Sequence, residues 1–243
     1  MSSRLLLFSS SRIPDDERYL TWASDLVRDF FGPRVRTIAF VPHAGVTIAL
    51  DDYAARTRDA FAEIGYDLRS VHQAANPVAA IRAADAVAVG GGNTFRLLEC
   101  LYELGLLETI RERVMGGMPY LGWSAGSNVA CPTIRTTNDM PVVQPPSLDA
   151  MGLLPFQINP HYSDFHPPGH RGETRAERLA EFVALNPGVP VLGLREGSIL
   201  RRDRNLLQLL GVPNDAVLFG MGPMQTVHRG DDLSHLLGST RVT

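Results

Sequence analysis

Four short apolar runs, each followed by a segment with helical spacing, constrain the fold of this chain more than any other feature. Each run is too short and too uniformly apolar for a half-exposed strand, so each predicts a strand buried on both faces. Parallel strands need crossover connections, and the alternation therefore predicts an α/β fold with a mostly parallel central sheet and helices on both faces. The runs are LLLF (5–8), TIAFVP (37–42), AVAVGGG (86–92) and PYLGWS (119–124), and the helical segments are 15–31, 51–64, 77–84 and 94–114.

The second half of the chain is less regular. Residues 131–172 are rich in proline and glycine, which predicts ordered loops around one short strand, FQINP (156–160). Thr174 and Glu177 have the spacing of a capping box and predict the start of a helix. A strand VPVLGL (189–194) and antiparallel strands within 198–230 then complete the prediction. We find no repeat or linker and expect a single domain over residues 1–243.

Composition narrows the classes of partner. The chain has 243 residues, 44% of them hydrophobic, and a formal net charge of −3, so it has no basic excess that would favour nucleic acid or an anionic membrane. Two cysteines are too few for a disulfide framework. The apolar run near the N-terminus is far shorter than a signal peptide core or a membrane span. We therefore expect a cytoplasmic protein that acts on small solutes.

The segment GWSAG (122–126) satisfies the G-x-S-x-G pattern of a nucleophile elbow, in which a sharp turn between strand and helix exposes a serine hydroxyl. The pattern alone is weak, but here it follows a predicted buried strand and precedes residues compatible with a helix. We therefore interpret Ser124 as a nucleophile rather than as a small residue in a tight corner. Such a serine needs an imidazole base, an acid that orients the imidazole, and N–H donors for the oxyanion.

The segment GGGNT (90–94) supplies candidate oxyanion donors. It ends a predicted strand at the start of a helix, where backbone N–H groups are free. It lacks both the dinucleotide-binding glycine pattern and the lysine of a P-loop. We expect Gly91 or Gly92, together with the N–H of Ala125, to stabilise the oxyanion, against the alternative of a purely structural turn.

Seven histidines compete for the role of base. His161 follows the strand FQINP in the region of loops and could face Ser124, while His43 ends a predicted strand and could line the same sheet edge. The residues alone leave both candidates open. The contexts of His72, His228 and His235 are typical of surface residues.

Metal binding is a rival interpretation of the segment from His161 to His170. Asp164, His166 and His170 are the other potential ligands in it. Pro167 and Pro168 exclude a regular helix between the last two histidines, so we do not expect a metal site. For the acid, the residues alone leave Asp139 and Glu196 open, since both lie in turn-like sequence at strand ends.

Six segments in order resemble the peptidase E family of α-aspartyl dipeptidases, serine peptidase family S51, which is related to cyanophycinase. They are GGGNTFRLL, GWSAGSN, TTNDMP, INPHY, GETRAERLAEF and REGS. The resemblance implies a class I glutamine amidotransferase-like fold, with serine where the amidotransferases have cysteine. It also implies Ser124 as nucleophile, His161 as base and either Asp139 or Glu196 as the orienting acid, with Asp139 preferred.

The same resemblance implies hydrolysis of dipeptides with an N-terminal aspartate and no cofactor. Arginine matches a carboxylate in a planar, bidentate way, and Arg175 is the candidate that binds the aspartate side chain. The alternative is a solvated arginine that pairs with Glu173 or Glu177. Asn93, in the glycine turn, is a further candidate for contact with substrate.

Three other functions are compatible with parts of this sequence. The nearest is a cyanophycinase, which acts on β-aspartyl-arginine chains. The glycine turn of cyanophycinases commonly carries an acidic residue at the position where this chain has Asn93. A non-catalytic binding protein on the same scaffold is the second, since fold does not fix function. An α/β-hydrolase is the third and fits poorly, since few residues separate Ser124 from His161. A homodimer is the default expectation for assembly.

Overall fold

The computed structural model describes residues 3–14, 16, 18–169, 171–212 and 215–238. In this part of the chain the strands, numbered in chain order, are β1 (Arg4–Phe8), β2 (Thr37–Val41), β3 (Asp67–Ser70), β4 (Ala86–Val89), β5 (Tyr120–Trp123), β6 (Gln157–Asn159), β7 (Val191–Leu194), β8 (Ser198–Asp203), β9 (Leu206–Gly211), β10 (Ala216–Phe219) and β11 (Gln225–Val227). The helices are α1 (Ser24–Phe31), α2 (Leu50–Ile64), α3 (Pro77–Ala83), α4 (Thr94–Glu103), α5 (Leu106–Met115), α6 (Ala125–Asn128) and α7 (Arg175–Leu185).

A seven-stranded sheet with the order β3-β2-β4-β5-β1-β8-β9 forms the centre of the protein. Strands β1 to β5 pair in parallel, whereas β8 and β9 extend the sheet with antiparallel pairing. The predicted α/β class with a mostly parallel sheet is confirmed.

Both faces of this sheet are buried, as the uniformly apolar runs predict. In β1, Leu5 and Leu7 belong to one core cluster, which also receives the apolar faces of α3, α4 and α5. Leu6 and Phe8 belong to a second cluster on the opposite face, packed against α1 and α2. The side chains of a strand alternate between faces, so a strand covered on both sides has no position for a polar residue.

A second, four-stranded sheet has the order β11-β10-β7-β6. Strands β6 and β7 pair in parallel, and β10 pairs with β7 and β11 in antiparallel fashion. The sequence predicts antiparallel strands near the C-terminus but not that they divide between two sheets. Helix α7 packs on this sheet through Leu179, close to Tyr162 and Phe219.

Two predicted helices were wrong in their bounds. The predicted helix 94–114 is two helices, because the chain turns at Leu104 and Gly105, where Gly105 has φ of 64°. The predicted helix 15–31 is regular only from Ser24, since Leu20 adopts a left-handed conformation with φ of 61° and is followed by a 3-10 turn; Asp15 itself lies outside the described residues.

Strand β3 was not predicted at all. It lies at the edge of the main sheet, and its alternate residues are exposed, so its sequence lacks an apolar run. The predicted capping box is confirmed, because the Thr174 side chain accepts from the N–H of Glu177 and the Glu177 carboxylate accepts from that of Thr174. Within the described residues, no helix combines the length and the apolar character needed to cross a bilayer.

Candidate active site

The turn at Ser124 joins β5 to α6 and places the serine hydroxyl at the carboxyl edge of the main sheet. Ser124 has φ of 53° and ψ of −115°, an unfavourable backbone conformation for a residue with a side chain. Its N–H donates to the carbonyl of Phe8 at 3.1 Å, which fixes the turn to β1. A Cβ atom on Gly126 would lie 2.1 Å from the carbonyl oxygen of Val89, and one on Gly122 would lie 2.5 Å from that of Gly126. Close backbone approach therefore requires both glycines of the pattern.

The glycine turn after β4 lies directly beside this serine. A Cβ atom on Gly91 would be 2.9 Å from the Cβ of Ser124, and Gly92 has φ of 139°, a conformation that side chains disfavour. The turn is fixed at both ends, because the N–H of Gly90 donates to Val41 at 3.0 Å and that of Asn93 to Ala44 at 2.8 Å.

Three N–H groups near the serine hydroxyl are not used within the protein. Those of Gly91 and Gly92, and that of Ala125 in the first turn of α6, make no hydrogen bond with any residue that the structure describes. An unpaired backbone N–H is a donor available to a ligand. This is the arrangement that stabilises an oxyanion when one develops beside the serine.

His161 bridges Ser124 and Glu196. Its Nε2 lies 2.7 Å from the hydroxyl oxygen of Ser124, and its Nδ1 lies 2.5 Å from Oε1 of Glu196. The backbone of His161 has φ of 55°, and its N–H donates to the hydroxyl of Ser9, which in turn donates to the carbonyl of Leu194. These contacts hold the imidazole between a hydroxyl and a carboxylate, with each ring nitrogen engaged.

The carboxylate of Glu196 is suited to remain charged. Partial burial alone would raise its pKa, but hydrogen bonds from His161 and Ser10 and the nearby imidazole charge outweigh burial and lower the pKa below its ordinary value. A charged carboxylate at Nδ1 favours the tautomer whose proton faces Glu196, which leaves Nε2 as an acceptor for the serine proton.

Asp139 does not reach the imidazole, which corrects the preference for this residue as the orienting acid. Its Oδ2 accepts from the N–H of Thr94 at 2.7 Å, from the Thr94 hydroxyl at 2.5 Å and from the Thr137 hydroxyl at 3.1 Å. The two donors of Thr94 lie at the N-terminus of α4, where unpaired N–H groups and the helix dipole favour a negative charge. The structure thus places Asp139 at a helix cap and Glu196 on His161.

Asn93 and Arg175 occupy different surroundings. The Asn93 carbonyl oxygen accepts from the N–H of Arg96 at 3.0 Å, and its amide nitrogen donates to the carbonyl of Met140 at 2.8 Å, so both ends of the side chain have protein partners. Arg175 begins α7, and its Nη1 is buried with no hydrogen-bond partner among the described residues. Burial lowers the pKa of Arg175, the neighbouring Arg178 lowers it further, and Tyr162 opposes both effects.

A metal site finds no support in the described part of the chain, which contains no group of three or more histidine, cysteine, aspartate or glutamate side chains placed to hold an ion. His161 faces the serine, and Asp164 accepts from the hydroxyl of Tyr162 and from Arg195. His170 lies outside the described residues. His43 is buried, and burial lowers its pKa to about 4, with smaller contributions from nearby His72 and Arg96, so its ring is neutral near pH 7.

A cavity of about 520 Å³ opens beside the serine. Ser124, His161, Glu196, Gly91, Gly92 and Asn93 line it, whereas Arg175 is not among its described lining residues. Sequence reasoning did not assign to the site five further residues that line the cavity, which are Arg12, Tyr19, Tyr53, Arg56 and Trp123. Tyr53 and Arg56 look like ordinary positions of an amphipathic helix, so no sequence signal separates them from packing and surface residues.

Known proteins resemble this chain over its full length. The sequence model of peptidase family S51 matches residues 5–210. A peptidase E of Nostoc sp. is 46% identical over 245 residues, which covers 100% of both chains. A peptidase E of Shewanella amazonensis is 46% identical over 240 residues, 98% of this chain and 100% of its own. The crystal structure of a peptidase from an acI-B1 actinobacterium shares the fold, with a TM-score of 0.70 at 18% identity, and covers 96% of this chain and 97% of its own.

Proposed function

This chain belongs to peptidase family S51, as its motifs predict, and on that premise we propose that it hydrolyses dipeptides with an N-terminal aspartate through an acyl-enzyme on Ser124. The observation that carries the proposal is the hydrogen-bonded series Ser124, His161 and Glu196 at the wall of the cavity. The curated relatives that match the whole chain carry the name peptidase E, and the substrate class proposed here is the one that the sequence motifs imply.

The proposed chemistry is acyl transfer to the serine. The hydroxyl oxygen of Ser124 attacks the carbonyl carbon that follows the aspartate, while Nε2 of His161 takes the hydroxyl proton. The negative oxygen that forms is stabilised by the N–H of Gly91 or Gly92 together with that of Ala125. His161 then gives its proton to the leaving amine, the C–N bond breaks, and water activated by the same imidazole releases aspartate.

In this scheme Glu196 takes the role of the orienting acid. It keeps the imidazole in the productive tautomer and stabilises the imidazolium that forms during both half-reactions. Its support is the 2.5 Å contact with Nδ1 and a pKa held below the ordinary glutamate value.

We assign recognition of the substrate aspartate to Arg175. A buried guanidinium nitrogen without a partner is costly, and an anionic ligand removes that cost by supplying the missing acceptor. Arg175 lies near Tyr162, the neighbour of His161 in sequence. Since it does not line the cavity, the proposal requires the segment between Tyr162 and α7, which has no regular helix or strand in its described part, to bring the guanidinium toward the substrate.

Hydrolysis assays of the wild-type protein and Ser124→Ala test the proposal. We expect the wild type to release leucine from Asp-Leu, and we expect Ser124→Ala to lose roughly 10⁴-fold or more in kcat with an unchanged melting temperature. Ala-Leu tests the need for the aspartate carboxylate, and a β-aspartyl-arginine dipeptide tests the cyanophycinase alternative. Near-wild-type turnover by Ser124→Ala would refute the serine mechanism. Absence of turnover by the wild type on all three substrates would favour a binding protein.

Three properties of the whole molecule remain proposals. We propose a single domain over residues 1–243, a homodimer and a cytoplasmic location. Both cysteines, Cys100 and Cys131, are free and buried, which fits a reducing compartment. Size-exclusion chromatography with light scattering tests the dimer.

A further inference from the structure

Arg56 lines the same cavity as Ser124, and its guanidinium has no acidic partner among the described residues. Its side chain extends from α2, and its guanidinium carbon lies 4.8 Å from the ring centre of Tyr19 and 5.4 Å from that of Tyr53. It makes no hydrogen bond or ion pair with any residue that the structure describes. We propose that Arg56 binds the C-terminal carboxylate of the dipeptide substrate and thereby favours peptides of two residues. This inference rests on the proposed dipeptidase function.

Tyr53 connects Arg56 with the residues around Ser124. The hydroxyl of Tyr53 donates to the carbonyl of Gly91 at 2.9 Å and accepts from the indole N–H of Trp123 at 3.1 Å. Trp123 directly precedes Ser124, and Gly91 lies against it. Arg56 is therefore linked, through Tyr53, to both the glycine turn and the elbow, and all of these elements line the cavity.

The contacts with the rings of Tyr19 and Tyr53 pre-organise the Arg56 guanidinium for binding an anion. An arginine on aromatic faces keeps its five N–H donors in a fixed plane, so less conformational freedom is lost when a carboxylate binds. The aromatic partners do not neutralise it, because burial raises the pKa of both Tyr19 and Tyr53 and keeps their hydroxyls protonated. The only carboxylate lining the described cavity is that of Glu196, which is engaged by His161 and Ser10.

The charges of the substrate indicate which group Arg56 meets. A dipeptide that begins with aspartate carries two carboxylates, one on the acyl side of the scissile bond and one at the end of the leaving residue. Arg175 is assigned to the first of these. Of the two arginines that line the cavity, Arg12 has an interaction partner within the protein, so Arg56 is left for the second carboxylate. In a longer peptide an uncharged amide replaces this carboxylate, so the charge-assisted hydrogen bonds are lost and the longer peptide binds less well.

The test compares two substrates that differ only at this group, Asp-Leu and Asp-Leu-amide. Arg56→Met keeps an apolar stem against the two tyrosines and removes the charge. We expect it to lower kcat/KM for Asp-Leu by about 10- to 100-fold, mainly through KM, and to change that for Asp-Leu-amide by less than about threefold. Arg56→Lys keeps a charge without the bidentate fork and is expected to fall between the wild type and Arg56→Met.

Arg58→Met is the matched control. Arg58 lies on the same helix, donates to the Gln73 side chain at 3.0 Å and does not line the cavity, so its loss should leave both substrates unaffected. Equal losses on both substrates for Arg56→Met, or no loss on Asp-Leu, would overturn the inference while leaving the dipeptidase function in place. A wild-type protein that hydrolyses neither substrate would refute the proposed function and this inference with it.

Discussion

Replacing Glu196 with glutamine tests which of the two candidate acids, Glu196 or Asp139, orients the imidazole of His161. The change removes the charge facing Nδ1 of His161 and keeps the shape of the side chain. Asp139→Asn is the matched variant, since it removes one charge from the other candidate in the same way. In the structure, Glu196 contacts the imidazole at 2.5 Å, whereas Asp139 accepts from Thr94 at the start of α4.

The magnitude for Glu196→Gln follows from two effects. An imidazolium and a carboxylate about 4 Å apart between charge centres attract by about 4 kcal/mol at an effective dielectric constant near 20. The side chains of His161 and Glu196 are 41% and 40% exposed, so solvent screening reduces this to roughly 2 kcal/mol, or about 30-fold in kcat. The glutamine amide also can donate to Nδ1, which moves the ring proton to Nε2 and blocks proton transfer from Ser124. Together these effects predict a loss of about 10²- to 10⁴-fold in kcat.

The assay is steady-state release of leucine from Asp-Leu near neutral pH, with thermal unfolding measured in parallel. For Asp139→Asn we expect a loss in kcat below about tenfold. Because this aspartate caps a helix, we expect its exchange to cost about 1 kcal/mol of stability, which lowers the melting temperature by about 2–4 °C. If Asp139→Asn reduces kcat as strongly as Glu196→Gln or more strongly, the assignment of Glu196 from its contact with His161 is refuted.

Three further predictions concern the glycine turn, the buried cation and pH. In Gly91→Ala the added Cβ lies 2.9 Å from the Cβ of Ser124, so we expect displacement of the serine and a loss in kcat of roughly 10- to 100-fold, with Gly238→Ala, whose Cβ meets nothing, as control; equal kcat values for the two variants would contradict this. Arg175→Met should leave the melting temperature unchanged or higher, because Nη1 has no partner to lose, and a large decrease would contradict the unpaired cation. The pKa of Glu196 is lower in the folded protein than its ordinary value of 4.5, so its charge adds stability above that pH and the contribution is lost as pH falls through the folded value. The difference in melting temperature between wild type and Glu196→Gln should therefore shrink in acid, and a constant difference would contradict it.

The elements of the main sheet show which parts of the fold local sequence patterns predict. The runs that form β1, β2, β4 and β5 were identified because burial on both faces leaves them uniformly apolar. Strand β3 was not predicted, because it lies at the edge of the sheet and its exposed residues alternate with buried ones. The break between α4 and α5 was not predicted, because the helical spacing of apolar residues continues through Leu106. The positive φ at Gly105 separates the two helices.

The candidate site likewise has features that the sequence predicts and features that it does not. The elbow at Ser124 is visible in sequence, because a strained turn imposes glycine at fixed positions within five residues. The partner of His161 cannot be identified from the sequence, because Asp139 and Glu196 both lie in turn-like sequence and differ in where the folded chain places them. The position of Arg56 was not predicted, since it lines the cavity together with Tyr19 and Trp123, which are distant from it in sequence.

The sequence by itself determined the α/β class, the family and the position of the serine turn, because these depend on short-range apolar patterning and on the steric demands of glycine. Only the tertiary structure decided which carboxylate meets the imidazole, that Arg56 lines the cavity whereas Arg175 does not, and how the later strands divide between two sheets. Those contacts join residues far apart in the chain, and no local pattern encodes the distance between side chains that long-range packing brings together.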